Sequence, residues 1–298
     1  MEKLPASLAF NDESWCKKVG MVLYTDRRYT EQMSTATLVH ALASDEVFHT
    51  GALFHPLMAA KSLAMLWIHG GGQNFYYPTY LRIGAAVSAH GYPFLSANTR
   101  GHDQNSRWDR FETSALDLAA WIDRLGALGY PRVVLVGHSF GGWRVASYQA
   151  ERQDPRVRGL IIASTPVRKR FPQQPHYQER LELAERLVAE GRGDQYLPLE
   201  YPQTASSFVS FARAGMDLYG LESPDRLLDR VGCPVLAWFG TEGAEPTIGT
   251  AADLELARAN LPHGFPFEAL LLEGADHMYR GHEEEVAATI ARWADQLR

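Results

Sequence analysis

Short apolar runs recur along the chain, most of them followed by a stretch with helical spacing. Strand and helix alternating in this way predict an α/β fold, a mostly parallel sheet with helices on both faces. The runs at residues 63–68, 133–136 and 235–239 are apolar at successive positions, the pattern of strands covered on both sides, and those at 157–163 and 267–272 read as strands with one charged residue each, Arg158 and Glu268. Residues 92–97 read as a further strand, and helical patterns occupy about 80–90, 113–128, 143–152 and 283–297. Nearer the start, residues 19–24, 36–43 and 47–54 look like early strands forming an antiparallel edge. Residues 1–18 have no clear periodicity and are assigned no role.

Between the strands at 157–163 and 235–239 the alternation stops. Residues 179–190 read there as an amphipathic helix, with Leu181, Leu183, Ala184, Leu187 and Val188 along one stripe, and residues 205–219 as another. The segment is rich in rings: Phe171, His176, Tyr177, Tyr196, Tyr201, Phe208, Phe211 and Tyr219. These rings either line an apolar pocket or form a small core that holds the segment down. The expectation is a mixture, with Tyr177, Phe208 and Phe211 as pocket residues. Arg168-Lys169-Arg170 either recognises a substrate carboxylate or phosphate, or is a solvated charged face.

Three stretches carry chemistry. The run at 133–136 ends in Gly137-His138-Ser139-Phe140-Gly141 and then turns helical. A strand, a sharp turn and a helix around Gly-x-Ser-x-Gly lift a serine hydroxyl out of a sheet, and only small residues fit at Gly137 and Gly141. The backbone N–H of Phe140 and the helix N-terminus then lie where negative charge develops in acyl transfer. Upstream, the run at 63–68 ends in His69-Gly70-Gly71-Gly72, a glycine run suited to close backbone approach. Phe140 together with Gly71 or Gly72 is therefore expected to hold an oxyanion; the plainer reading of the glycines is a flexible connection. Downstream, the run at 267–272 leads into a loop presenting His277, which completes the chain order serine, acid, histidine. Asp276 adjoins His277 and points elsewhere on an extended loop, His138 is expected to brace the turn, and Arg100 and Asp103 are expected to be structural.

On these motifs the chain resembles the α/β-hydrolases of the esterase and lipase kind, over residues 63–298. The turn Asn98-Thr99-Arg100-Gly101-His102-Asp103 is similar to one found after the fourth strand in many members. The resemblance implies an α/β-hydrolase core at 1–165 and 232–298 with a helical cap at 166–231. It implies Ser139 as nucleophile, His277 as base and a third, acidic member. Members usually place Asp three residues beyond a glycine like Gly240, and here that position is Gly243. No Asp or Glu lies between Ser164 and Arg170, so the alternative site is empty as well. Glu242 and Glu245 remain, with Glu242 ranked first because its longer side chain can reach from one residue short. The activity implied is cleavage of a carboxylic ester, thioester or lactone with an apolar group. The same residues would also serve a C–C bond hydrolase, and a non-catalytic ligand-binding homologue is a third reading. Haloalkane dehalogenases and epoxide hydrolases carry Asp where this chain has Ser139.

Composition narrows the picture a little further. The 298 residues, 46% hydrophobic and 21% charged, suffice for one large domain with an insertion. With a net charge of −6 and no basic stripe, nothing argues for a nucleic-acid partner and none is expected. Cys16 and Cys233 are far apart and form no C-x-x-C pair, so a disulfide framework is not expected and a cytoplasmic setting is. No signal peptide and no membrane-spanning run are read. No metal spacing and no phosphate loop are found, so no cofactor or metal is implied. The expected partner is a small apolar ester, and a homodimer is left open.

Overall fold

Strands with apolar side chains at every position need cover on both faces, and that requirement organises the molecule. The computed structural model describes residues 35–56, 60–103, 109–198, 203–214, 217–221, 226–243 and 249–297. The strand expected at 19–24 lies outside them.

Among the described residues eight strands form one sheet: β1 (Thr35–Leu42), β2 (Phe48–His55), β3 (Leu63–Ile68), β4 (Phe94–Ala97), β5 (Arg132–His138), β6 (Val157–Ala163), β7 (Val235–Gly240) and β8 (Phe267–Leu272). Their order across the sheet is β1-β2-β4-β3-β5-β6-β7-β8. The β1–β2 and β2–β4 pairs are antiparallel and the rest parallel, so the expected antiparallel edge is present. Successive side chains go to opposite faces. On β3, Ala64, Leu66 and Ile68 join one core cluster, while Leu63, Met65 and Trp67 join the other.

The first face is covered by α2 (Ser114–Ala127), α3 (Phe140–Arg152) and α6 (Ala251–Asn260), the second by α1 (Pro78–Ala89) and α7 (Glu283–Ala294). The helix at α6 has no counterpart in the hydrophobic pattern. Only Asp253, Leu254 and Ala257 of it are buried, too narrow a stripe to mark a helical period. Its one local signal is a start signal: Thr250 and Asp253 cap each other's backbone N–H groups.

The segment between β6 and β7 holds α4 (Tyr177–Ala189) and α5 (Ala205–Arg213), packed around Ala184, Leu187, Leu197, Ala205 and Val209. Thr204 opens α5 by accepting from the N–H of Ser207. The second helix stops at Arg213, short of the expected 219. Tyr219 instead packs into the main core, its ring 5.9 Å from that of Phe239.

Candidate active site

The loops that carry Ser139, the glycine run, His277 and Glu242 all leave the carboxyl ends of parallel strands, where open α/β sheets place their ligands. Register sets the first two side by side, since Ile68 at the end of β3 pairs with Gly137 at the end of β5.

The turn at Ser139 is as sharp as its glycines predict. Ser139 has φ 53° and ψ −125°, a conformation that a non-glycine residue adopts only under constraint. A Cβ on Gly137 would lie 2.3 Å from the Gly141 carbonyl oxygen, and one on Gly141 2.3 Å from that of Ile68. Ser139 donates its N–H to Ala163 O, holding the turn on β6 at 2.9 Å. Ser139 is buried, with 8% of the residue exposed. Phe140 opens α3, so its N–H is among the donors a helix leaves without an internal acceptor.

The glycine run approaches the serine at Gly70, a residue the sequence reading did not single out. A Cβ there would lie 2.8 Å from Ser139 Cβ and 3.3 Å from its Oγ. Gly71 lies beside the Phe140 ring, and Gly72 has φ 67°. The loop is held from within. His69 donates from Nδ1 to the Gly70 carbonyl (2.7 Å) and accepts at Nε2 from the N–H of Thr99 (3.1 Å). That pattern requires the neutral ring, and burial lowers the His69 pKa to about 4. Gly70 N–H donates to Gln73 Oε1 at 3.1 Å, and the Gln73 amide reaches Met278 Sδ at 3.1 Å, joining this loop to the one that bears His277. Gln73 carries no sequence signal for such a tie.

His277 follows β8 and is half-buried, with its Nδ1 buried. Its loop is folded by Asp276, whose Oδ1 accepts from the N–H groups of Met278 (2.9 Å) and Arg280 (3.0 Å). Asp276 is thus spent on its own loop, with its Oδ2 also 3.6 Å from Arg280 Nη1. The His277 carbonyl accepts from Nε2 of His138, and the two rings stand 4.8 Å apart. Serine loop and histidine loop therefore meet at His138.

Glu242 lies on the turn after β7 with its N–H bonded to Ala275 O at 2.9 Å, and its side chain is exposed. Among the described residues its carboxylate takes part in no hydrogen bond or ion pair, with His277 or otherwise. Glu245 lies outside the described residues, as does Tyr201.

Of the expected pocket residues, Phe211 on α5 stands against the serine turn. Its ring is 5.6 Å from that of Phe140, 5.7 Å from that of Phe111 and 5.0 Å from the Arg144 guanidinium, and it belongs to the main core cluster. Tyr177 and Phe208 pack on each other at 5.7 Å within the insertion, and Phe171 links Tyr177 (6.4 Å) to Phe140 (6.0 Å). The basic triplet serves neither expected role in full. Arg170 and Lys169 both pair with Asp253 at the start of α6, and Arg168 donates to Ala212 O. These residues fasten the insertion to α6 and to its own second helix.

Around the site the expected structural residues behave as such. Arg100 is buried between Asp117 (2.6 Å) and Asp45 (2.7 Å), with His49 on Asp117 at 2.9 Å. Asp103 holds the side chains of Asn74, Tyr76 and His102. Among the described residues no group of three or more His, Cys, Asp or Glu side chains is arranged to hold a metal ion, and no helix is long and apolar enough to cross a membrane.

A family model described as the alpha/beta hydrolase family matches residues 65–289. A non-heme chloroperoxidase from Streptomyces lividans is 37% identical over 79 residues, a match that takes in 26% of this chain and 28% of that protein. Among solved structures, a carboxyl esterase from Bacillus coagulans superposes with a TM-score of 0.67 at 14% identity, over 88% of this chain and 98% of that one. A soluble variant of monoglyceride lipase from Saccharomyces cerevisiae gives 0.66 at 16% identity, over 90% and 97%. At such identities these two likenesses concern the fold.

Proposed function

The chain belongs to the alpha/beta hydrolase family, and on that premise we propose that it is a serine hydrolase cleaving a carboxylic ester, thioester or lactone with an apolar group. The observation that carries this reading is the strained Ser139 turn, its side chain against Gly70 and its neighbour Phe140 opening a helix. The esterase and lipase among the structural relatives agree with it.

In this reading Ser139 Oγ attacks the carbonyl carbon while His277 Nε2 takes the hydroxyl proton. The oxyanion is held by the N–H groups of Phe140 and of Gly71 or Gly72, with the α3 N-terminus adding its dipole. Collapse of the tetrahedral intermediate breaks the acyl C–O or C–S bond, and the alcohol or thiol, which stays tethered to the acyl group when the substrate is a lactone, takes the proton from His277. Water then repeats the sequence on the acyl-enzyme. The acid that holds the His277 tautomer comes from the segment after β7. Glu242 with its exposed carboxylate is the weaker candidate of the two, which favours Glu245. Residues 166–231 act as the cap, with the rings of Tyr177, Phe208 and Phe211 bounding the acyl or alcohol side of the pocket.

Labelling with a fluorophosphonate tests the reading directly. Intact protein is expected to take the label at Ser139 and to hydrolyse at least one member of a graded panel of p-nitrophenyl esters, thioesters and lactones. Ser139→Ala is expected to lose the label and about 10⁴-fold or more of turnover while keeping its fold. A folded protein that takes no label, or a Ser139→Ala variant within tenfold of full activity, would overturn the proposal.

A further inference from the structure

We infer that His138, the residue before the proposed nucleophile, is a positioning residue that holds the base loop in register with Ser139 through one buried hydrogen bond. The inference rests on the serine-hydrolase reading above. The His138 ring is fully buried between Trp67, stacked at 6.1 Å and 16°, the ring of His277 at 4.8 Å, and the edges of Tyr279 and Tyr80 at 5.4 and 5.6 Å. Both its nitrogens are engaged. Nε2 lies 2.8 Å from the His277 carbonyl oxygen and Nδ1 2.7 Å from the Tyr80 hydroxyl.

The chemistry of the two partners assigns the proton. A carbonyl oxygen only accepts, so Nε2 carries the hydrogen. The neutral ring has a single N–H, so Nδ1 is the acceptor, facing the Tyr80 hydroxyl, whose one hydrogen is shared between Nδ1 and Gln73 Oε1. Neutrality is enforced by the surroundings: the titratable groups that face the ring are Tyr80 from α1, His69 from the loop after β3, and His277 and Tyr279 from the loop after β8. Burial and the neighbouring histidines hold the His138 pKa well below the ordinary range.

Fixing a carbonyl fixes the peptide plane that follows His277, and with it the direction in which the His277 side chain leaves the backbone. The other end of the bond belongs to the residue covalently joined to Ser139. Nucleophile and base thus come from strands that are three places apart in the sheet, yet share a single short connection. A misplacement of about 1 Å between reacting groups costs on the order of 10²-fold in rate, so a loop released by even part of that distance slows the chemistry and leaves substrate binding nearly unchanged.

Two amides separate this role from mere packing. In His138→Gln the side-chain N–H₂ reaches about as far as Nε2 and can still donate to the His277 carbonyl. In His138→Asn it stops about where Nδ1 stands and cannot. Expected are a kcat within about threefold of the parent for Gln, and a fall of roughly ten- to a hundredfold for Asn with KM changed less than threefold. Equal kcat for Gln and Asn, or a loss expressed in KM, would overturn the inference. If either variant fails to fold by circular dichroism, Tyr80→Phe is the second test. It removes the hydroxyl that His138 Nδ1 shares with Gln73 Oε1, and a several-fold fall in kcat with KM changed less than threefold is expected; full activity would overturn the inference. Fluorophosphonate labelling of the parent separates the two proposals: an unlabelled parent sinks the serine-hydrolase reading, whereas a labelled parent with equally active variants sinks only the role of His138.

Discussion

At Ser139 the backbone holds a conformation that costs an isolated non-glycine residue roughly 1–3 kcal/mol, and it persists because β5, α3 and the bond to Ala163 over-determine it. The nearby histidines are arranged with equal care. His69 and His138 are held neutral and engaged at both nitrogens, which in the proposed mechanism leaves His277 to exchange protons. The remaining question at this scale is the acid. We expect Glu245→Gln to lower kcat by roughly 10³- to 10⁴-fold, as amide replacement of a triad carboxylate does, and Glu242→Gln to change it less than threefold. Steady-state kinetics of the two variants decide: the reverse outcome returns the role to Glu242. The turn that bears Ser139 and the loop that bears His277 were legible because each follows a run of apolar residues. Glu242 and Glu245 were not separable in the same way, since which carboxylate meets His277 depends on where a loop after β7 lies relative to one after β8.

Among the elements, the insertion between β6 and β7 does two jobs with one set of rings. Phe211 packs with Phe111, Phe140 and Arg144 in the main core, whereas Phe208 packs on Tyr177 within the insertion. Phe211→Ala is accordingly expected to lower stability by about 3 kcal/mol or more, as large-to-small core changes do. Phe208→Ala is expected to cost less and to shift the ratio of rates on bulky and short esters, with the smallest ester little affected. Urea unfolding and the ester panel, measured on both variants, test this division; equal stability losses with unchanged ester preference would remove it. The helical periods of α4 and α5 announced themselves in the sequence because apolar residues recur on one side of each, Leu181, Leu183, Ala184 and Leu187 on the first and Ala205, Val209 and Phe211 on the second, although on α4 only Ala184 and Leu187 are fully buried. The helix α6 did not, because Asp253 takes a place in its narrow stripe, where it caps the helix and receives Arg170 and Lys169.

For the molecule as a whole, buried neutral histidines tie stability to pH. The His69 pKa falls from 6.5 to about 4 on folding because burial disfavours its charged form. Between those values the unfolded chain binds a proton that the folded one does not, so stability is full above about pH 6.5 and declines as pH falls toward 4. At 1.36 kcal/mol per pKa unit this one group is worth about 3 kcal/mol over that window. Urea midpoints measured from pH 7.5 to 4 are expected to fall, and to fall less steeply in His69→Gln; parallel slopes would show that His69 does not contribute. Apart from α6, the order of strands and helices, the two-sided sheet and the serine turn were written in local pattern, because burial on both faces and a tight turn each demand particular residue types at neighbouring positions. What only the folded chain decided is which distant groups meet: Gly70 against Ser139, Gln73 on Met278, the basic triplet on Asp253, and His138 beneath the carbonyl of His277. Such contacts join residues that the sheet brings together at its carboxyl edge, and no spacing along the chain encodes them.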